Sequence, residues 1–133
     1  MRVYKLMHMN KYVGNYIYDD RSGDIKAIRF KEVTNFPINL FGLSGDEVVD
    51  KRRVLNYINS IVPPKDNDNI KEILGELNIG VYNSWEIYVA MSGYNTKDSS
   101  FIDANYTDIE EAYLAEFIKL EECKHEEELL RYN

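Results

Sequence analysis

The stretch VYKLMHMNKYVGNYIY, residues 3–18, decides the fold. Side-chain character alternates over residues 3–9 and again over residues 12–18, which is the two-residue period of a β-strand. Lys11 or Gly14 is available for a turn or a bulge between the two runs. The stretch therefore predicts two neighbouring antiparallel strands.

A third strand is predicted after a dense turn signal at residues 19–24, DDRSGD. Asp and Ser side chains cap their own backbone there, and Gly23 accepts a positive φ. Residues 25–33 then alternate again, so the first three runs predict an antiparallel meander. Residues 35–43 are apolar but contain Pro37 and Gly42, and they predict an extended connection or an edge strand.

Two short helices are predicted in the middle of the chain. The first begins at Ser44-Gly45-Asp46, carries an apolar face that includes Ile58, and ends at Pro63-Pro64. The second begins after Asn67 or Asp68, and Asn78 is its left-handed stop. Its apolar face has four members: Ile70, Ile73, Leu74 and Leu77.

The last third of the chain predicts a hairpin and a long helix. Residues 85–92 alternate as a strand, residues 93–99 are a polar turn, and residues 100–106 return as a second strand. Thr107 or Asp108 then caps a helix that runs past Cys123 into solvent. Its predicted buried stripe is Ile109, Tyr113, Phe117 and Leu120. The fold class is therefore α+β.

Length and composition fit one domain. The chain has 133 residues, 44 % of them hydrophobic, which suffices for a single core. We expect two sub-lobes in it, residues 1–80 and 81–133. No apolar run approaches the roughly 20 residues that cross a bilayer, no secretory leader pattern is visible, and Cys123 has no second cysteine to pair with. The sequence predicts a cytoplasmic protein.

Negative charge is concentrated in the last 36 residues. Residues 98–133 carry eleven carboxylates against three basic side chains, whereas residues 1–97 carry twelve against thirteen. Such a segment makes a local field that selects partners, and carboxylates spaced along a helix can imitate the phosphates of nucleic acid. The same charges disfavour direct binding to nucleic acid. The alternative is an amphipathic helix that its glutamates keep soluble. The predicted partner-binding residues are Glu110, Glu111, Glu121, Glu122, Glu126, Glu127 and Glu128.

No catalytic or metal-binding pattern accompanies the acidic segment. The sequence has no Gly-x-Ser-x-Gly motif, no Walker loop and no Gly-x-Gly-x-x-Gly motif, which argues against an enzyme. Cys123 and His125 point to different sides of a helix, and His8 is distant in sequence. We therefore expect no metal site and no cofactor.

Lys51-Arg52-Arg53 is the only compact basic cluster of the sequence. Acidic residues precede it at positions 46, 47 and 50, so ion pairs along the predicted helix suffice to explain it. The alternative is a site for a phosphate or an acidic partner.

Motifs in the first part of the chain carry a resemblance to a known family. They include YKLMH at 4–8, SGDI at 22–25, VDKRRVLN at 49–56 and the run from Ile70 to Ile79. In order and rough spacing, residues 4–79 resemble the N-terminal, non-catalytic region of HipA-like kinase toxins of Gram-positive bacteria. The resemblance implies a lobe that packs on a kinase or another partner. It does not reach the kinase portion, so it implies no kinase activity.

Together these features predict a non-catalytic acidic protein-binding module. The leading hypothesis is a phage or mobile-element protein that inhibits a host nucleic-acid-binding defence protein, of the anti-CRISPR kind, by nucleic-acid mimicry. The expected partner is a protein with a basic nucleic-acid channel. The second hypothesis is a regulatory or antitoxin-like subunit that docks on a HipA-type kinase through residues 4–79.

Overall fold

The computed structural model describes residues 1–29, 48–49, 51–95 and 100–131, with the backbone alone described at 26–29, 48–49, 122 and 125–131. The first three strands are β1 (Arg2–His8), β2 (Lys11–Asp19) and β3 (Asp24–Arg29). They pair antiparallel in sequence order, which confirms the predicted meander. Residues 30–33 and the predicted connection at 35–43 lie outside the described residues.

The turn between β1 and β2 lies one residue earlier than predicted. Met9 and Asn10 both have positive φ, 52° and 63°, and form a two-residue loop closed by the pair His8 and Lys11. Such a loop matches the right-handed twist of the strands it joins. The register then shifts, because Leu6 lies opposite Gly14 and the next residue of β1 lies opposite Tyr12. The extra residue is a bulge beside Gly14, one of the two positions considered for it.

Three more strands of the sheet lie in the part of the chain that the structure describes: β4 (Val48–Val49), β5 (Ser100–Ile102) and β6 (Thr107–Asp108). The order is β4-β3-β2-β1-β5, and β6 also pairs with β1. All of these pairs are antiparallel. Between β5 and β6, the N–H of Asp103 donates to the carbonyl of Lys5. The chain from Ser100 onward therefore runs along the outer side of β1.

The helices in the described residues are α1 (Lys51–Ile61), α2 (Ile70–Glu76), α3 (Ser84–Ala90) and α4 (Leu114–Arg131), the last preceded by a 3-10 turn at Glu111–Tyr113. The α+β class, the prolines after α1 and the long C-terminal helix are as predicted. Asn78 follows α2 with φ 58°, which confirms the left-handed stop. α2 begins one or two residues later than predicted, after Asn69.

The predicted helix start at Ser44-Gly45-Asp46 lies outside the described residues. The prediction that this helix continues through residues 48 and 49 is wrong. Val48 and Val49 are a strand that pairs with β3, and α1 begins at Lys51. Branched side chains favour the extended backbone of a strand. The valines therefore extend the sheet before the helix begins.

The predicted hairpin at residues 85–106 is also wrong, because its first strand is the helix α3. Asn83 is the N-cap, and its side-chain oxygen accepts a hydrogen bond from the N–H of Glu86 at 3.1 Å. Asn followed three residues later by Glu is a helix-start signal. The aromatic and branched residues that follow Asn83 favour a strand by propensity alone. In the structure they form a helix, which buries Trp85, Ile87 and Tyr88 in the core.

The sheet is covered on both faces by different helices. The cross-strand pair Tyr4 and Tyr16 lies on one face, in the main core with residues of α1 and α3. The neighbouring pair Val3 and Ile17 lies on the other face and packs with Ile118 of α4. The main core joins residues of both predicted sub-lobes, so the division at residue 80 does not separate two cores.

Gly93 occupies a position where a side chain has no room. Its φ is +58°, and a Cβ atom there would lie 2.7 Å from Cζ of Tyr88 and 3.1 Å from Cγ1 of Ile102. Tyr88 cannot move freely, because its hydroxyl is 3.1 Å from the hydroxyl of Tyr16 in the buried core. A side chain at this position therefore adds both steric overlap and backbone strain.

We expect Gly93→Ala to lower the free energy of unfolding by about 2–4 kcal/mol, from overpacking and strained φ together. Gly75→Ala is the matched control, because Gly75 lies in α2 with open space around its Cα. Alanine should stabilise that helix by up to about 1 kcal/mol. Urea unfolding of both variants measures the two effects, and equal effects would contradict the close packing of Gly93 against Tyr88 and Ile102.

Candidate acidic binding site

Two of the predicted binding residues, Glu110 and Glu111, lie on the segment that leads from β6 to α4. Both are exposed. Glu110 has extended backbone, and Glu111 begins the 3-10 turn. The segment is held to the sheet by the N–H of Ile109, which donates to the carbonyl of Met1 at 2.8 Å. The predicted caps Thr107 and Asp108 are instead strand β6, because they pair with β1.

An open cleft of about 770 Å³ lies beside this segment. Its other wall is the turn between β2 and β3, which contributes Asp19, Asp20 and Arg21. The two walls meet because β1 pairs with β2 on one side and with β6 on the other. We call this feature the acidic cleft. Its carboxylates are Asp19, Asp20, Asp108, Glu110 and Glu111.

One carboxylate of the turn wall, Asp19, has its charged form stabilised by the backbone. The backbone N–H of Arg21 donates to Oδ1 of Asp19 at 3.0 Å, and this bond lowers the pKa of Asp19 below its ordinary value, with a smaller contribution from Ser22. The cations on the cleft lining are the guanidinium of Arg21 and the ammonium of Met1, which lies 3.4 Å from Asp108. Carboxylates therefore outnumber cations on the lining, five to two.

Glu121 occupies a different environment from the other predicted residues. Its side chain is 14 % exposed, with one oxygen 3.8 Å from Nζ of Lys5 and the other 3.6 Å from Nζ of Lys124. Lys5 lies on β1, so Glu121 is directed toward the sheet. Its charge is offset within the protein. The side chains of Glu122, Glu126, Glu127 and Glu128 lie on the part of α4 whose backbone alone is described.

The predicted buried stripe of the final helix is partly wrong. Ile109 and Phe117 are partly buried against the smaller core cluster, but Tyr113 is 60 % exposed and Leu120 is 56 % exposed. The residue that fills the core is Ile118, supported by Leu114. The helix is therefore rotated from the predicted orientation, since Leu114, Ile118 and Glu121 recur at the spacing of one helical face.

Lys51, the first residue of the basic cluster Lys51-Arg52-Arg53, makes an ion pair within the protein. Nζ of Lys51 lies 2.6 Å from Oδ1 of Asp24, which ties the start of α1 to the start of β3. Both side chains are about half exposed, so this pair contributes little to stability. Arg52 and Arg53 are exposed on α1.

Three tyrosines near the N-terminus pack around the side chain of Trp85. Tyr4 and Tyr16 make edge-on contacts with Trp85, and Tyr18 stacks on the same ring at 5.3 Å. A second cavity of about 360 Å³ opens beside this stack and is also lined by Leu55 and Tyr82.

Within the described residues, no group of three or more His, Cys, Asp or Glu side chains is placed to hold a metal ion. None of the described helices combines the length and the apolar character that a membrane crossing requires.

Comparison with protein-family models, with curated proteins and with solved structures gives no match.

Proposed function

We propose that this protein is a non-catalytic acidic module that binds another protein by occupying its basic nucleic-acid channel. The concrete class is a phage or mobile-element inhibitor of a host defence protein, with CRISPR effectors as the partners to test first. In this proposal Glu110 and Glu111 contact the partner, together with the glutamates further along α4. Glu121 is excluded, because two lysines already surround it.

The observation that carries the proposal is the acidic cleft. Its carboxylates come from two segments that lie about ninety residues apart in sequence, and the sheet brings them to one place. A rigid concentration of like charge raises the association rate with an oppositely charged surface and penalises like-charged partners. The segregated charge of residues 98–133 extends the same field along α4.

Two charge-neutralising variants test which glutamates bind the partner protein. We expect the double variant Glu110→Gln, Glu111→Gln to weaken binding to a susceptible purified CRISPR effector roughly tenfold, with a shallower salt dependence. Glu121→Gln should change binding less than about twofold and should cost no more than about 1 kcal/mol of stability. The affinity of each variant for the effector, measured at two salt concentrations, distinguishes glutamates that contact the partner from one that does not. Equal losses from both variants would contradict the assignment.

The alternative is docking on a HipA-type kinase through residues 4–79. The cavity beside Tyr18, Leu55 and Trp85 favours this candidate, since four of its eight lining residues belong to that segment: Tyr18, Gly23, Ile25 and Leu55. Apolar contacts of this kind respond weakly to salt. Binding to a purified HipA-type kinase that is unchanged between low and high salt would support this alternative over the acidic one.

A further inference from the structure

The cavity beside the side chain of Trp85 has the size of a small-molecule site. Its volume is about 360 Å³, and ligand cavities in proteins ordinarily measure about 300–1,000 Å³. It lies where four segments meet, namely the turn between β2 and β3, the start of β3, helix α1 and the start of α3. These segments contribute Gly23, Ile25, Leu55 and Ser84 to its lining, in that order. We call it the Trp85 cavity.

Three aromatic rings line the Trp85 cavity, and contacts within the protein hold them in place. Tyr18 stacks on Trp85 with ring centroids 5.3 Å apart and an angle of 22° between the planes. The hydroxyl of Tyr82 donates to the carbonyl of Pro63 at 2.9 Å. Walls that are already fixed lose little conformational entropy when a ligand binds. Since aromatic rings pack well against another ring in offset or edge-on contact, these walls suit a planar ring.

Two polar side chains at the start of α3 supply hydrogen-bond donors to the cavity. The side-chain oxygen of Asn83 accepts from the N–H of Glu86 at 3.1 Å, which leaves the amide nitrogen of Asn83 as a donor. The next residue, Ser84, carries a hydroxyl and is partly buried. Ligand cavities commonly combine aromatic walls with a few polar groups that orient the ligand. A carbonyl oxygen at the edge of a ligand ring is the acceptor that matches these donors.

No charged side chain belongs to the described lining of the Trp85 cavity. Charge begins outside it, where Asp24 follows Gly23 in the chain and pairs with Lys51 at 2.6 Å. Burying an ionised ligand without a charged partner is costly, so the lining favours a neutral ligand. The surrounding charges also confine the apolar surface to the cavity, whereas a protein interface ordinarily takes about 800 Å² from each partner. A small molecule therefore fits this site better than a protein surface does.

We propose that the Trp85 cavity binds a small neutral molecule with a planar aromatic ring and a carbonyl or amide group at its edge. The ring packs among Tyr18, Tyr82 and Trp85, and the carbonyl accepts from Asn83 or Ser84. The cavity shares no lining residue with the acidic cleft. The inference therefore goes beyond the proposed function and does not depend on it.

Four compounds of nearly equal size test the ligand class. Benzamide has the ring and the amide, benzoate and benzamidine are its anionic and cationic counterparts, and cyclohexanecarboxamide keeps the amide without the planar ring. Trp85 is the one tryptophan of the chain, so its indole N–H gives a single side-chain signal in a proton-nitrogen NMR spectrum. The backbone signals of Gly23 and Ser84 report on two further parts of the lining.

We expect benzamide to shift these three signals with a Kd of about 1 mM, an ordinary affinity for a ligand of about nine non-hydrogen atoms. The three comparison compounds should bind at least about fivefold more weakly, because each lacks either neutrality or the planar ring. No shift of these signals at about 10 mM benzamide would overturn the proposal. Equal binding of any comparison compound, or shifts centred away from the cavity, would overturn it as well.

A variant of the cavity wall adds a second test. Tyr82→Ala removes one ring and should weaken benzamide binding at least about fivefold. Tyr94→Ala is the matched control, because Tyr94 is an exposed tyrosine outside the lining, and it should bind benzamide within about twofold of the parent protein. Unchanged affinity in Tyr82→Ala would overturn the proposal. The titration of the parent protein decides the question alone where Tyr82→Ala does not fold.

A protein partner in the same cavity is a separate outcome. A purified HipA-type kinase that competes with benzamide for the parent protein would assign the cavity to that partner and overturn the proposal of a small-molecule ligand. CRISPR effectors do not enter this test. A parent protein that binds none of the effectors, but binds benzamide as expected, would remove the proposed function and leave the Trp85 cavity.

Discussion

Reversing Glu110, Glu111, Glu126 and Glu127 to lysine is expected to abolish binding to a CRISPR effector that the parent protein inhibits. The reversal replaces attraction to a basic channel by repulsion, and like-charge contacts across an interface cost several kcal/mol, so affinity should fall by roughly a thousandfold or more. The fold should persist, since Glu110 and Glu111 are exposed and Glu121 is left with its lysines. Binding and inhibition of DNA cleavage are the measurements.

The control for this variant reverses four exposed carboxylates elsewhere: Asp66, Asp68, Glu72 and Glu76. It changes the net charge by the same amount but leaves the acidic cleft and α4 untouched. We expect it to bind within about threefold of the parent protein, because charges outside the interface act only at long range and are screened by salt. An equal loss in both variants would mean that total charge, and not its placement, governs binding.

Trp85→Ala is expected to have the largest effect on stability. Trp85 is buried on α3 and contacts Tyr4, Tyr16 and Tyr18, with ring centroids 5.3 to 5.6 Å apart. Replacing it removes a large apolar volume from the place where α3 meets β1 and β2. Truncation of a buried aromatic residue costs about 3–5 kcal/mol, a large share of the stability of a small domain.

Urea unfolding followed by far-UV circular dichroism measures this effect, because the variant lacks the one tryptophan of the chain. Val81→Ala is the control, since Val81 is strongly exposed, and it should change stability by less than about 0.5 kcal/mol. A loss below about 1 kcal/mol in Trp85→Ala would contradict the packing described for the main core.

The strands near the N-terminus could be predicted because their side chains alternate regularly between the two faces of the sheet, and each face packs against helices. Tyr4 and Val3 show this directly, since neighbouring residues enter the two different cores. α3 could not be predicted from periodicity alone, because its branched and aromatic residues fit a strand as well as a short buried helix. The decisive local signal was the cap at Asn83 with Glu86.

The candidate site was predicted only in part, for reasons of tertiary structure. The sequence indicated Glu110 and Glu111 through charge density, but it read Asp19 and Asp20 as turn residues alone. Their place in the acidic cleft depends on β6 pairing with β1, which no local pattern reveals. Likewise Glu121 resembles its neighbours in sequence, and it differs because the rotation of α4 brings it to Lys5.

The salt dependence of binding to purified CRISPR effectors tests the central claim most directly. We predict that the parent protein binds a susceptible effector at about 50 mM salt and loses roughly tenfold or more in affinity by about 200 mM. Loss of inhibition should follow the same curve. Binding that stays constant over this range, or no binding to any effector at the lower salt concentration, would contradict the claim that an acidic surface of this protein occupies a basic channel.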